Sequence, residues 1–179
     1  MLTRLFLPNM AKRSVRHTAS LAGRYMVAMM DEALELRPGM RVLEVGAGSG
    51  YHAATIAEIV GEGGQVFAIE YLEKLIMIAR NNLGRAGYAN LVTLVQGDGS
   101  LGYPDRAPYD RVFVTAAAPK IPPPLLDQLN PQGVLVIPVG GRVFPQELIR
   151  VKKKTDGTLH RESLGGVAFV PLVGKYGFD

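Results

Sequence analysis

Short, solidly apolar runs alternate along the chain with stretches in which apolar residues recur every three or four positions. Met26, Val27, Met30, Ala33 and Leu34 follow helical spacing, and Pro38-Gly39 stops the run. Next, Arg41–Val45 reads as a short buried strand, Tyr51–Val60 as a helix, Gln65–Glu70 as a strand and residues 72–86 as a helix. Strands follow over 91–96 and 109–115, then a helix over about 123–129 and a strand over 134–139. Strand–helix alternation with strands apolar throughout is the signature of a parallel sheet covered on both faces. The last third changes character. Residues 147–153, the turn Thr155-Asp156-Gly157, residues 158–162 and residues 167–172 are consecutive extended runs. An antiparallel hairpin is therefore expected to close the edge of the sheet. The expected fold is α/β and doubly wound, mostly parallel, with helices on both faces and an antiparallel C-terminal edge.

Composition narrows the chemistry. A chain of 179 residues, 47% hydrophobic, is long enough to bury one continuous core. No apolar run approaches the ~20 residues that span a bilayer, so no membrane partner is expected. Absence of cysteine excludes disulfides, thiolate nucleophiles, Cys-ligated zinc and iron–sulfur clusters. Only His17, His52 and His160 could supply imidazole, which argues against a histidine metal site, and none is expected. The net charge of +4 is unevenly placed: Arg4, Lys12, Arg13, Arg16 and Arg24 face no acid in the first 24 residues, and the remainder is net −1. Basicity thus describes the leader and gives the body no phosphate-tracking face, so a nucleic-acid partner is not expected. The leader has the Arg- and Ser-rich, acid-free composition of a transit segment, which an ordinary N-terminal arm shares. Pro8 cuts off Leu5-Phe6-Leu7 before a secretory apolar region develops, and a cytoplasmic location is expected. Residues 1–23 read as a basic arm and 24–179 as one domain.

The sharpest local signal is Val42-Leu43-Glu44-Val45-Gly46-Ala47-Gly48-Ser49-Gly50, a strand running into a glycine-rich turn and a helix. Such a turn lets the backbone approach a ligand at the carboxyl edge of the sheet. Gly46, Gly48 and Gly50 make G-x-G-x-G, unlike the G-x-G-x-x-G of dinucleotide folds, and no G-x-x-x-x-G-K-[ST] is present. A nicotinamide dehydrogenase and a P-loop enzyme are therefore disfavoured. Glu70 closes the second strand where an acid accepts ribose hydroxyls in such folds. Asp98, in Gly97-Asp98-Gly99 after the third strand, could face an adenine amino group. Together with the glycine turn, the two acids outline a nucleoside pocket.

This arrangement resembles class I S-adenosylmethionine-dependent methyltransferases. The runs from Arg41 to Ala54, Gly97-Asp98-Gly99, Thr115-Ala116-Ala117-Ala118-Pro119, Ile137-Pro138-Val139-Gly140 and Leu164-Gly165-Gly166-Val167-Ala168-Phe169-Val170-Pro171-Leu172 narrow the resemblance to protein-L-isoaspartate O-methyltransferases. The resemblance implies a Rossmann-like methyltransferase sheet with S-adenosylmethionine as cofactor. It also implies methylation of the abnormal α-carboxylate of L-isoaspartyl residues in damaged proteins or peptides, a repair reaction. On the same basis Glu44, Gly46, Gly48, Gly50, Glu70, Asp98 and Gly99 are expected to bind the cofactor. Thr115 is expected to donate to the substrate carboxylate, and Ala116, Ala117 and Pro119 to line the acceptor pocket. His52 reads as a helix-start residue near the cofactor.

The resemblance breaks at the N-terminus. The family carries a longer helical region and then a Gly-x-Thr-Ile-Ser-x-Pro segment whose serine lies near the substrate. Gapless alignment from Met26 puts Ala22 at that serine, Ser20 at the threonine and Arg24 at the proline. A two-residue slip instead matches Thr18-Ala19-Ser20 to Thr-Ile-Ser and makes Ser20 the second substrate donor. Two other functions stay open at this level: a non-catalytic S-adenosylmethionine-binding relative acting as an interaction module, and a methyltransferase for RNA or a small molecule.

Overall fold

A computed structural model of the chain describes residues 21–179. Helices α1 (Leu21–Leu34), α2 (Tyr51–Val60), α3 (Glu73–Ala86) and α4 (Pro123–Asp127) accompany seven strands. These are β1 (Arg41–Val45), β2 (Gln65–Glu70), β3 (Val92–Gln96), β4 (Tyr109–Val114), β5 (Leu129–Gly140), β6 (Gln146–Lys153) and β7 (Leu159–Gly166). They form one sheet in the order β3-β2-β1-β4-β5-β6-β7. β1 to β5 are parallel, and β6 and β7 join antiparallel as the closing hairpin that the extended runs predicted. Among the described residues no helix is long and apolar enough to cross a membrane.

The order reverses at β1: the chain moves outward through β2 and β3, then returns to β4 on the other side. Open α/β sheets bind ligands at that switch point, beyond the carboxyl ends of the strands. Here those ends are Val45 and Val114, which are followed by Gly46 and Thr115. Strand alternation sorts the core into two faces. Val42, Val66, Ala68 and Phe113 pack with α1 and α2, whereas Leu43, Val45, Phe67, Val112 and Leu135 fill the opposite face. By the same alternation Glu44 and Glu70 fall on the α1–α2 face.

Two elements depart from the sequence reading. The 123–129 helix ends at Asp127, and β5 begins five residues early, at Leu129. Leu129 pairs with Tyr109 and Val134 with Arg111, so Asn130-Pro131-Gln132-Gly133 is absorbed as an irregularity within the strand. Gln132 takes φ +64° and the Asn130 amide donates to Asp110. Residues 167–172 are extended but form no ladder strand; Pro171 meets Ala117 in a single bridge.

Helix α1 stops at Leu34 because Glu35 adopts φ +52°, not because of Pro38. Its last carbonyls would be orphaned against the sheet. Cations from the strands meet them: the Arg111 guanidinium donates to Leu34 and Glu35, and Arg150 donates to Ala33. Glu35 in turn lies 2.5 Å from Lys152 Nζ and 3.6 Å from Arg150, and the Lys152 hydrogen bond holds its carboxyl below the ordinary value despite partial burial. This clamp fixes one end of α1, and with it the face that closes the ligand-binding crevice.

Candidate active site

The glycine turn hangs from β2. Gly46 and Ala47 N–H both donate to the Ile69 carbonyl, at 2.8 and 3.0 Å. Gly46 has φ +96°, and a Cβ there would strike Thr115 Oγ1. Gly48 has φ +53° with open space where a Cβ would stand, and it lines the cavity above the turn. Both positions demand glycine, the first for contact and the second for conformation. Gly50 opens α2 and leaves room for Ala79 and Leu83 of α3.

Glu70, only 7% exposed, braces this turn. Its Oε2 accepts Gly48 N–H and its Oε1 accepts Leu72 N–H, both at 2.9 Å. One lone pair on each oxygen is left for a ligand.

Glu44 is the unusual residue. It is fully buried, lines the cavity, and neither carboxylate oxygen has a hydrogen-bond partner among the described residues. Burial pushes its carboxyl well above the ordinary carboxylate range, and the negative charges of Asp31 and Glu70 push it further. A buried orphan acceptor is costly in a finished protein. Aimed into a cavity, it marks the place of a donor that arrives with a ligand, preferably a cationic one.

The wall opposite the turn comes from α1. Gly23, Met26, Val27 and Met30 line the cavity. Beyond them Asp31 Oδ1 lies 2.8 Å from His52 Nε2. The His52 ring, 6% exposed, packs tilted at 46° against Phe113 with ring centroids 4.3 Å apart. His52 lines the same cavity and ties α1 to α2. Sequence reasoning missed Asp31, which is one more polar residue on an amphipathic helix until the fold sets it against a residue 21 positions away. The last wall is Phe144, Pro145, Gln146 and the segment from Gly166 to Phe169, enclosing a cavity of about 970 Å³.

The structure gathers Glu44, Gly46, Gly48, Thr115 and His52 around one space and sets other expected residues apart from it. Thr115 does not offer its proton to the cavity. Its hydroxyl donates to the Gly46 carbonyl at 2.6 Å, with the Val45 carbonyl at 3.1 Å, so the expected substrate-donor role gives way to holding the turn. Ala116 and Ala117 are buried at 8% and 0% and do not line the cavity. Ala117 pairs with the C-terminal segment, its N–H donating to Val170 and its carbonyl accepting from Leu172. Their smallness serves close chain packing, and Pro119 is exposed outside the cavity.

Asp98 and Gly99 also lie off the cavity lining. Asp98 Oδ1 accepts the Ser100 N–H and hydroxyl, and Oδ2 accepts Lys175 N–H. Burial raises the Asp98 carboxyl, but these hydrogen bonds outweigh it and hold the group below its ordinary value. Gly99 is packed on Val45, where a Cβ would collide. Ser20, and the side chain of Ala22, lie outside what the structure describes, as does the basic leader up to residue 20.

Known proteins share this arrangement. A family model described as protein-L-isoaspartate (D-aspartate) O-methyltransferase matches residues 9–177, including part of the leader. A protein-L-isoaspartate O-methyltransferase of Hyperthermus butylicus is 52% identical over 171 residues, covering 92% of this chain and 70% of its own length. A solved structure of a protein-L-isoaspartate O-methyltransferase superposes with a TM-score of 0.79 at 34% identity, over 87% of this chain. The chain spans about half, 49%, of that solved protein. A Plasmodium falciparum structure in complex with S-adenosyl-L-homocysteine shares the fold at TM-score 0.74 and 23% identity, covering 89% of this chain and 78% of its own. With a family model spanning nearly the whole chain and half of all positions shared with a close relative, this chain belongs to the protein-L-isoaspartate (D-aspartate) O-methyltransferase family.

Proposed function

We propose that this protein transfers the methyl group of S-adenosylmethionine to the free α-carboxylate of L-isoaspartyl residues in damaged proteins. The observation that carries the reading is the unpartnered Glu44 carboxylate, buried beneath the glycine turn in a cavity shared with Thr115. S-adenosylmethionine brings an ammonium group that can satisfy such a carboxylate, and it ionises as that cation arrives. The lone pairs left on Glu70 suit ribose hydroxyls. The turn at Gly46 and Gly48 admits the ligand to the backbone, and Gly50 keeps α3 close behind it. Asp98 and Gly99, off the cavity lining, hold the turn after β3 against β1.

Bound S-adenosylmethionine would supply an activated methyl carbon to a substrate carboxylate oxygen, with sulfur keeping the electron pair of the broken carbon–sulfur bond. No proton moves, because a carboxylate with a pKa near ~4 is already ionised at neutral pH. The protein therefore needs no general base, and the burden falls on orientation and water exclusion, worth up to ~7 to 11 kcal/mol. Met26, Val27 and Met30 form a dry wall for that purpose, and the Arg111 and Arg150 clamps hold it in place. Thr115 positions the turn, and Ser20 is the candidate hydroxyl for the substrate carboxylate. A cytoplasmic enzyme with a basic arm over residues 1–23 fits the same reading.

Incubation with labelled S-adenosylmethionine and an L-isoaspartyl peptide should yield base-labile methyl ester, with none from a Gly48→Arg control. Cofactor binding by calorimetry without ester above that control would replace this reading with that of a non-catalytic binding module.

A further inference from the structure

The cavity has to receive a cation and an anion side by side, and its walls sort their charges accordingly. Acids gather at the floor: Glu44 lines the cavity, and Asp31 and Glu70 are the charges that act on it. That end suits the cation. None of the lining residues is a lysine or an arginine. A partner for the anionic acceptor therefore comes either from a polar side chain in the wall or from a cation at the rim.

Most polar side chains of the wall are already engaged. Thr115 donates to the Gly46 carbonyl, His52 pairs with Asp31, and the Gln146 amide donates to the Gly141 and Phe169 carbonyls, both at 3.1 Å. Ser49 belongs to the glycine turn itself. Tyr51 is different. It opens α2, lines the cavity and is partly buried, and its hydroxyl has no hydrogen-bond partner among the described residues. Burial raises that hydroxyl above its ordinary value of 10.0; the Arg24 charge opposes the effect and the Asp31 charge reinforces it. Tyr51 is therefore a protonated donor at neutral pH.

Arg24 reaches the same place from α1. On a helix, residues 24, 27 and 31 lie along one stripe, at i, i+3 and i+7. Val27 lines the cavity, and Asp31 meets His52 of α2. Two turns before Asp31 and next to the lining residue Gly23, Arg24 brings its charge to Tyr51, the chain neighbour of His52. The Arg24 side chain is exposed and forms no ion pair among the described residues.

We infer that Tyr51 and Arg24 form the anion subsite for the acceptor: the Tyr51 hydroxyl donates to one oxygen of the isoaspartyl α-carboxylate, the Arg24 guanidinium faces the same charge, and the other oxygen is left free for the methyl carbon. The inference rests on the methyltransferase reading above and deepens it. Methylation turns the anion into a neutral ester. A hydrogen bond to a charged group is roughly twice as strong as one between neutral groups, so the pair that draws the substrate in holds the product less tightly and favours its release.

The test compares two peptides that differ in one group. An L-isoaspartyl peptide is assayed as acceptor, and its α-carboxamide counterpart, uncharged at that position, is assayed as a competitive inhibitor. The ratio of carboxamide Ki to acceptor KM measures the preference for the anion. Tyr51→Phe should lower that ratio about 10-fold and Arg24→Met about fivefold, through KM, while the carboxamide Ki and the Kd for S-adenosylmethionine stay within about twofold. Arg24→Lys should keep most of the preference, and the Arg24→Met effect should shrink in about 0.5 M salt. A disturbed wall would instead weaken both peptides together, so folded variants with an unchanged ratio would overturn the subsite and leave the methyltransferase reading intact. Failure of the unsubstituted protein to esterify the isoaspartyl peptide would remove both.

Discussion

Replacing Glu44 by glutamine tests the electrostatic centre of the site. Burial, reinforced by Asp31 and Glu70, raises the Glu44 carboxyl well above its ordinary value of 4.5. The ligand-free folded protein thus keeps a proton that the unfolded chain releases. The stabilisation from that protonated carboxyl is complete below the ordinary value and is lost as pH rises toward the folded value. Stability therefore falls as pH rises above the ordinary carboxylate value toward neutrality. Glu44→Gln has the same shape and no titrating group, and it escapes that loss. Urea denaturation at a mildly acidic and a neutral pH should therefore show the variant's midpoint rising relative to the parent's as pH rises. The same variant should bind S-adenosylmethionine roughly 10- to 100-fold more weakly, because a charge-assisted hydrogen bond of ~1.5–3 kcal/mol is lost. A stability difference that stays constant across pH, or unchanged cofactor affinity, would refute the reasoning.

Other perturbations separate the remaining roles. Gly46→Ala places a Cβ against Thr115 Oγ1 at a positive φ; it should lower stability by ~1–3 kcal/mol and abolish calorimetric cofactor binding. Thr115→Val removes the bond to the Gly46 carbonyl and should reduce kcat/KM about 10-fold, whereas Thr115→Ser, which keeps the donor, should stay within a few-fold in the same steady-state assay. Arg111→Met leaves the carbonyls of Leu34 and Glu35 without a cation. It should cost ~2–4 kcal/mol in denaturant unfolding, and protease cleavage within α1 should quicken.

What the sequence disclosed depended on the range of the interaction. Local rules govern the glycine turn, since a strand that breaks into alternate positive-φ positions is best written with glycine there, and Gly46 and Gly48 were legible for that reason. Alternation sorts residues within each strand, but that Glu44 and Glu70 share a face follows from the register of β1 on β2, which pairs Glu44 with Ala68. Asp31 and Gln146 were not legible, because each acts on a partner more than 20 residues away, and only helix tilt and sheet register bring them together. Ala116 and Ala117 were ambiguous because smallness serves ligand access and tight chain pairing equally well. The contact between Ala117 and Val170 decides for pairing. The Leu164 to Leu172 run was recognised as distinctive, and the backbone of Val170 and Leu172 pairs with Ala117. Similarly, Asn130-Pro131-Gln132-Gly133 has the composition of a turn, and the pairing of Tyr109 with Leu129 is what draws it into a strand.

The most direct measurement is a competition between two isomeric peptides, one with an L-isoaspartyl residue and one with normal aspartate at the same position. They would be incubated together with this protein and S-adenosylmethionine and read by fragment mass spectrometry. The account requires one added methyl on the isoaspartyl residue alone, lost again in base. Equal methylation of both isomers, or a methyl group stable to base, would contradict it.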